Sequence, residues 1–264
     1  MTIQQPIGVF DSGVGGLSVA KKIREALPHE DILYIADSRH APYGNKSQQF
    51  IEQRSRALIQ FMLEQHAKAI VVACNTATLS AIQSLRATFH LPIIGVEPGI
   101  KPASLQTKSG VIGVMVTRRT SCATAFHELV KRFSENVRIE VQACDGLVEQ
   151  VEKGDLHSAA TRDLVARYVV PLRDSGADTI ALGCTHYPFL LPLIQEIAGD
   201  GVNIIETGSA VARQVVRRLT DENHLAGSDH PGKDIFYTSG DVQVAENIVS
   251  YLWGQQEKIL PCPI

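Results

Sequence analysis

The sequence of 264 residues lacks an excess of positive charge, long apolar runs and a leader-like start. Its 25 Lys and Arg residues are balanced by 28 Asp and Glu residues, so nucleic acid and anionic membrane surfaces are not expected as partners. No apolar run approaches the roughly 18 residues that a membrane-spanning helix needs, and the first residues do not resemble a secretory signal. We therefore expect a cytoplasmic protein.

Cysteine is scarce and scattered. The five cysteines contain no CxxC pair and no Cys/His group at zinc-ligand spacing. This spacing argues against a disulfide framework and predicts no metal site. Such cysteines are usually small buried hydrophobic residues, so a functional role has to be argued from their surroundings.

Short β-branched segments alternate with longer amphipathic segments along the chain. This alternation is typical of parallel sheets covered by helices, and it predicts an α/β fold. A helix is predicted over 47–65, with Ser47 as its N-cap. The predicted strands are Ile7–Phe10, Ile32–Ile35, Ala69–Ala73, Pro92–Val96, Val111–Val116, Val137–Val141, Thr179–Leu182 and Asn203–Ile205.

The two halves of the chain repeat the same order of strands. The IGV segment at Ile7 recurs at Ile112, and the strand that leads to Cys74 recurs as the strand that leads to Cys184, at offsets of roughly 105 to 110 residues. We predict two similar lobes, each a mostly parallel sheet flanked by helices, with the active site between them.

The last part of the chain is too small to form a domain of its own. After a helix-like segment at 209–219 and a polar linker, it contains one predicted strand, Ile235–Thr238, and one predicted helix, Val242–Trp253. One strand and one helix cannot enclose a core, so we expect them to pack on the N-terminal lobe.

In open parallel sheets, ligands bind beyond the carboxyl ends of the strands. The first such end carries the loop DSGVGG, which begins at Asp11 and combines a carboxylate, a hydroxyl and glycines that allow close approach. A tight turn with Asp11 as a helix cap is the alternative interpretation.

Two further strand ends carry CNT at Cys74 and CTH at Cys184. A single cysteine at such a place is usually inert, but two at equivalent positions of facing lobes would approach one ligand from opposite sides. The N–H groups that follow each thiol are expected to lower its pKa below the usual value of about 8.5. Two acid/base groups on opposite faces of a carbon are what stereochemical inversion requires.

Other polar side chains near these strand ends complete the candidate site. Asp11 and His186 can orient the two thiols or carry their protons. Compact hydroxyl and amide groups suit a small polar substrate, although each is also a common helix cap. These groups are Asn75, Thr76, Thr117, Thr120 and Thr185.

The motifs resemble those of the glutamate racemases, within the aspartate/glutamate racemase family. The resemblance implies an isomerase that interconverts L- and D-glutamate without a cofactor and supplies D-glutamate for peptidoglycan, and so for cell wall biogenesis and cell shape. It also implies lobes of 1–98 with 207–264 and of 99–206, and it allows a homodimer. The segments that carry it are IGVFDSGVGGLSV (7–19), YIADSRHAPYGNKS (34–47), VVACNTAT (71–78), IIGVEPGIKPA (93–103), LVEQVEKGD (147–155), LGCTHYPFL (182–190) and IIETGSAVARQ (204–214).

The resemblance also implies roles for individual residues. Cys184 corresponds to the base that acts on L-glutamate, assisted by His186, and Cys74 to the base that acts on D-glutamate, assisted by Asp11. Glu152 corresponds to an acidic residue near the site, although a surface helix carboxylate is the alternative. Further positions match substrate-binding residues: Asp11, Ser12, Pro42, Tyr43, Gly44, Asn75, Thr76, Thr120 and Thr185.

Three other interpretations stay open. The same scaffold could racemise aspartate, since a few pocket residues read side-chain length. The loop at Asp11 could instead bind phosphate in an ATPase or kinase, but this leaves the paired cysteines unexplained and no Walker A lysine is present. The third interpretation is a non-catalytic binding or regulatory role.

Overall fold

A computed structural model describes residues 5–264, in which strands and helices alternate as the sequence predicts. The strands are β1 (Ile7–Asp11), β2 (Ile32–Ala36), β3 (Ala69–Val72), β4 (Ile93–Gly95), β5 (Val111–Val116), β6 (Arg138–Ala143), β7 (Thr179–Leu182), β8 (Asn203–Ile205), β9 (Asp234–Thr238) and β10 (Ile259–Pro261). The α-helices are α1 (Leu17–Ala26), α2 (Gln48–Glu64), α3 (Asn75–Thr88), α4 (Ile100–Gln106), α5 (Arg118–Ser121), α6 (Thr124–Phe133), α7 (Leu147–Glu152), α8 (Ala159–Asp174), α9 (Leu191–Ala198), α10 (Gly208–Asp221) and α11 (Val242–Trp253). Short 3-10 helices cover Ser38–His40, Tyr43–Asn45 and Tyr187–Leu190.

Two parallel sheets share one internal strand order, which confirms the predicted repeat. The larger sheet has the order β10-β9-β2-β1-β3-β4 and the smaller has the order β6-β5-β7-β8. In both, the first strand of the repeat lies between the second and the third. The third strands, β3 and β7, each end two residues before a cysteine, Cys74 and Cys184.

The C-terminal segment completes the larger sheet. β9 pairs in parallel with β2, which confirms that this segment packs on the N-terminal half of the chain. The sequence analysis missed β10, which pairs with β9 at the sheet edge. A three-residue strand is too short to show a period, and its Pro261 is tolerated because an edge strand need not donate to a neighbour.

Apolar side chains cover both faces of the sheets, as parallel sheets require. Residues of β3 are fully buried, and Ser47 caps α2 as predicted by accepting a hydrogen bond from the Phe50 N–H. One buried cluster runs from β1 through α1 and α10 to β7. This continuous core holds the carboxyl ends of β1, β3 and β7 close together. None of the helices formed by residues 5–264 is long and apolar enough to cross a membrane.

A buried ion pair anchors the linker between α10 and β9. Lys68, which precedes β3, places its Nζ 2.5 Å from Glu30 Oε2, and the two side chains are 0% and 2% exposed. Lys68 Nζ also donates to the His224 carbonyl at 2.7 Å, and Glu30 Oε1 accepts from the Ala226 N–H at 2.7 Å. The pair therefore joins the start of β3 to the linker through which the chain returns from the second sheet.

We expect Lys68→Met to lower the free energy of unfolding by about 3–5 kcal/mol, because it leaves the Glu30 carboxylate buried without its countercharge. The matched control is Lys22→Met, which breaks an exposed pair with Glu25 and should cost about 0–1 kcal/mol. Urea denaturation of both variants measures the difference. Equally small losses of unfolding free energy in the two variants would contradict a structural role for the buried pair.

Candidate active site between the lobes

The Cys74 thiol lies at the N-terminus of α3, in a closed environment. Its Sγ accepts a hydrogen bond from the Ala77 N–H at 3.4 Å and lies 3.8 Å from Ser12 Oγ. Burial, followed by the negative charge of Asp11, raises the pKa of Cys74 well above its usual value, and the Ala77 N–H does not offset this. The predicted lowering of the pKa is therefore wrong for Cys74, whose resting form is the protonated thiol.

Asp11 ends β1 and begins the glycine loop. It is fully buried, and its Oδ2 accepts a hydrogen bond from the Gly16 N–H at 2.9 Å. Burial raises the pKa of Asp11, while the nearby His186 acts in the opposite direction. The Tyr34 hydroxyl donates to the Gly13 carbonyl at 2.7 Å from beneath the loop. Two hydrogen bonds from its own half of the chain thus help to hold the loop.

The second thiol, Cys184, belongs to a chain of polar groups. Its Sγ lies 3.8 Å from His186 Nδ1, and His186 Nε2 lies 2.6 Å from Glu152 Oε1. His186 Nδ1 also lies 3.9 Å from Asp11 Oδ2, across the interface of the two sheets. Burial lowers the pKa of His186, but the hydrogen bonds to Cys184 and Glu152 and the charge of Asp11 outweigh it and raise this pKa well above the usual value. The imidazole is therefore cationic.

The two thiols share one electrostatic environment. The charge of Cys184 raises the pKa of Cys74, and Asp11 interacts with Cys74 and with His186. Asn75, which directly follows Cys74, is 2% exposed, and both polar atoms of its amide are buried without a hydrogen-bond partner among the described residues. An unpaired buried amide is costly, so its place next to Cys74 indicates a polar ligand.

Three threonine hydroxyls meet where the two halves of the chain touch. The hydroxyl of Thr76, from α3, lies 3.1 Å from that of Thr117 and 3.2 Å from that of Thr120. Thr117 Oγ1 also accepts from the Thr120 N–H and so caps α5. The predicted polar groups on either side of the site are therefore in contact. Ser18 Oγ adds a further bridge by donating to the Thr185 carbonyl at 2.8 Å.

The predicted Pro42–Gly44 segment lies beside this group, but not all of it faces the site. The Tyr43 hydroxyl donates to Asp37 Oδ2 at 2.6 Å, so its proton is not available to a substrate. A methyl group on Gly44 would lie 3.6 Å from Thr117 Cβ, which places this segment against α5. No three His, Cys, Asp or Glu side chains within residues 5–264 are grouped as a metal ion needs.

The sequence analysis missed Asp37 and Arg54, which hold this segment in place. Arg54 donates to both carboxylate oxygens of Asp37, at 2.8 and 2.7 Å. Burial raises the pKa of Asp37, but hydrogen bonds from Arg54, Ser239 and Tyr43 outweigh this effect and bring the pKa below its usual value. Asp37 directly follows β2, so the rule that selected Asp11 at the end of β1 could have selected it as well.

The arrangement predicts which thiols react with an alkylating reagent. Cys122 is exposed, whereas the other four cysteines are buried, and reaction requires both access and thiolate. At neutral pH we expect one thiol to react with iodoacetamide in a fast phase, and Cys122→Ser to remove that phase. Peptide mass spectrometry identifies the modified residue. Fast labelling of Cys74 in the Cys122→Ser variant would contradict the closed, protonated state.

Comparison with known proteins agrees with this geometry. Residues 7–215 match the model of the Asp/Glu/Hydantoin racemase family. The chain is 54% identical over 260 residues to a glutamate racemase of Methylococcus capsulatus, with 98% of this chain and 96% of that protein covered.

Solved structures give the same result. The fold matches glutamate racemase isoform RacE1 from Bacillus anthracis with a TM-score of 0.90 at 33% identity, with 98% of each chain covered. It matches Escherichia coli glutamate racemase, in complex with L-glutamate and activator UDP-MurNAc-ala, with a TM-score of 0.86 at 34% identity, with 97% of each chain covered. This chain therefore belongs to the Asp/Glu/Hydantoin racemase family.

Proposed function

We propose that this protein is a glutamate racemase that interconverts L- and D-glutamate with two thiols and no cofactor. The observation that carries the proposal is the placement of Cys74 and Cys184 at equivalent strand ends of the repeat, both buried, with Asp11 only 3.9 Å from the His186 ring that contacts Cys184. Similarity to proteins named glutamate racemase over nearly the whole chain supports the choice of substrate.

The proposed reaction moves one proton from the substrate to a thiolate and another proton from a thiol to the substrate. With L-glutamate bound, the Cys184 thiolate takes the α-proton and becomes a thiol. The α-carbanion then receives a proton on its opposite face from the Cys74 thiol, which becomes a thiolate as D-glutamate forms. The protonated resting state of Cys74 suits this direction, and the reverse sequence converts D- to L-glutamate.

Polar groups of the site stabilise the carbanion electrostatically in this mechanism. We assign the α-carboxylate to the unpartnered amide of Asn75 and to the hydroxyl groups of Thr76 and Thr185, and the ammonium group to the buried Asp11 carboxylate. Fixed dipoles that exclude water act strongly on charge that develops in the transition state.

The proposal extends to the two lobes, the cellular location and the use of the product. We propose that residues 1–98 with 207–264 and residues 99–206 are the two lobes, that the enzyme is cytoplasmic, and that its D-glutamate enters peptidoglycan. A homodimer is a further prediction of the family resemblance. Glutamate as the small-molecule partner is supported by the E. coli relative, which was solved with L-glutamate.

Incubation in heavy water tests the proposed function. We expect deuterium at the α-carbon and loss of optical rotation with either enantiomer of glutamate, and much slower reaction with aspartate. Mass spectrometry and circular dichroism measure the two effects. Faster racemisation of aspartate would assign the sibling activity, and the absence of α-exchange with both amino acids would reject racemisation altogether.

Replacing either thiol should abolish racemisation. A positioned acid or base contributes about 10²–10⁴-fold to a rate, and the serine hydroxyl is too weak an acid to replace it. We therefore expect kcat to fall by about 10²–10⁴-fold in Cys74→Ser and in Cys184→Ser, with Cys122→Ser as the matched control at full activity. Retention of full activity in either active-site variant would exclude the two-thiol mechanism.

A further inference from the structure

The loop that follows β1 is in direct contact with two side chains from the other half of the chain. Val14 donates its N–H to Glu152 Oε1 at 2.8 Å, and the same oxygen lies 2.6 Å from His186 Nε2. Glu152 ends α7, so one carboxylate oxygen joins the first sheet's glycine loop to the imidazole that contacts Cys184.

Two glycines in this loop make room for that contact. A methyl group on Gly13 would lie 1.9 Å from Glu152 Oε1, and one on Gly15 would lie 2.1 Å from His186 Nδ1. Neither glycine has a positive φ, and the three atoms nearest to each added methyl group all belong to the opposite half of the chain. Gly16 differs, because a methyl group there would lie 2.7 Å from Asp11 Cβ within the same loop.

The surroundings of Glu152 fit a fixed acceptor better than a proton carrier. Its Oε1 already accepts the Val14 N–H, and it lies on the side of the imidazole away from Cys184. A group in this position acts on the thiol only through the ring. The ring position in turn depends on how closely the loop approaches.

We propose that Glu152 is a positioning residue that latches the two lobes. Its carboxylate oxygen holds the Val14 N–H of one lobe and the His186 ring of the other. Contact with the glycine loop thereby orients the imidazole on Cys184. This inference rests on the proposed racemase function, because activity reports it. Gly13 and Gly15 are part of the same contact, because the absence of a side chain at each position leaves room for Glu152 and His186 to reach the loop.

The isostere Glu152→Gln separates a latch from a proton carrier. Glutamine keeps an oxygen where Oε1 stands but carries no ionisable proton. A latch predicts that Glu152→Gln stays within about tenfold of the wild-type kcat/KM, since a neutral acceptor is only moderately weaker than a charged one. It predicts that Glu152→Ala and the shorter Glu152→Asp lose about 10²-fold, the cost of a small misplacement of catalytic groups.

A proton carrier predicts the opposite order, with Glu152→Asp active and Glu152→Gln as inactive as Glu152→Ala. That result would overturn the proposal. Glu149→Ala, an exposed carboxylate on the same helix, is the control and should keep full activity. If the wild-type protein does not racemise glutamate, the proposed function fails, whereas racemisation by the wild type with an inactive Glu152→Gln rejects the latch alone.

A second readout follows the latch without using activity. Hydrogen exchange of the 11–16 loop should be faster in Glu152→Ala than in the wild type, because the Val14 amide loses its acceptor, and unchanged in Glu152→Gln. Gly13→Ala should speed exchange in the same way by displacing the carboxylate, and adding it to Glu152→Ala should have little further effect. Gly201→Ala, where a methyl group meets nothing within 4 Å, is the matched glycine control. Unchanged loop exchange in Glu152→Ala would overturn the proposal.

Discussion

The close approach of the glycine loop after β1 to the His186 side of the site is the constraint on which the other contacts depend. At this distance the Val14 N–H reaches Glu152, and Asp11 and His186 come within 3.9 Å of each other. A side chain at Gly13 or Gly15 would separate them. The continuous core beneath holds the two sheets together, and the polar contacts above it fix the loop against side chains of the other half of the chain.

Most of the fold could be predicted from the sequence because buried parallel strands appear as apolar runs of definite length. Ile7–Asp11 and Thr179–Leu182 are such runs, and the repeat of their order gave the two sheets. The strand Ile259–Pro261 was not predicted, because three residues are too few to show a repeating pattern of apolar side chains. The Lys68–Glu30 pair escaped for another reason: nothing in the sequence relates two charges that are brought together only when β2 and β3 both pair with β1.

The site was predictable where a residue follows a strand and was not where a contact crosses between the halves. Asp11 was proposed from its strand end, and Cys74 and Cys184 were proposed from their strand ends together with the repeat. The predicted direction of the pKa shift of Cys74 was wrong. The sequence shows the helix N-terminus after the thiol, but it shows neither the depth of burial nor the nearby charge of Asp11. The resemblance gave Tyr43 as a substrate-binding position, and the sequence could not show that its hydroxyl donates to Asp37.

The repeat supplies two equivalent positions, but their neighbours make the two thiols different. Cys74 lies next to a carboxylate and a hydroxyl, whereas Cys184 contacts a cationic imidazole that is backed by Glu152. Negative charge is therefore disfavoured on the Cys74 side before substrate enters. Since the two enantiomers have equal free energy in solution, this asymmetry cannot change the ratio of kcat/KM in the two directions. It appears instead in kcat and KM separately, because binding each enantiomer productively requires the opposite arrangement of protons on the two sulfurs.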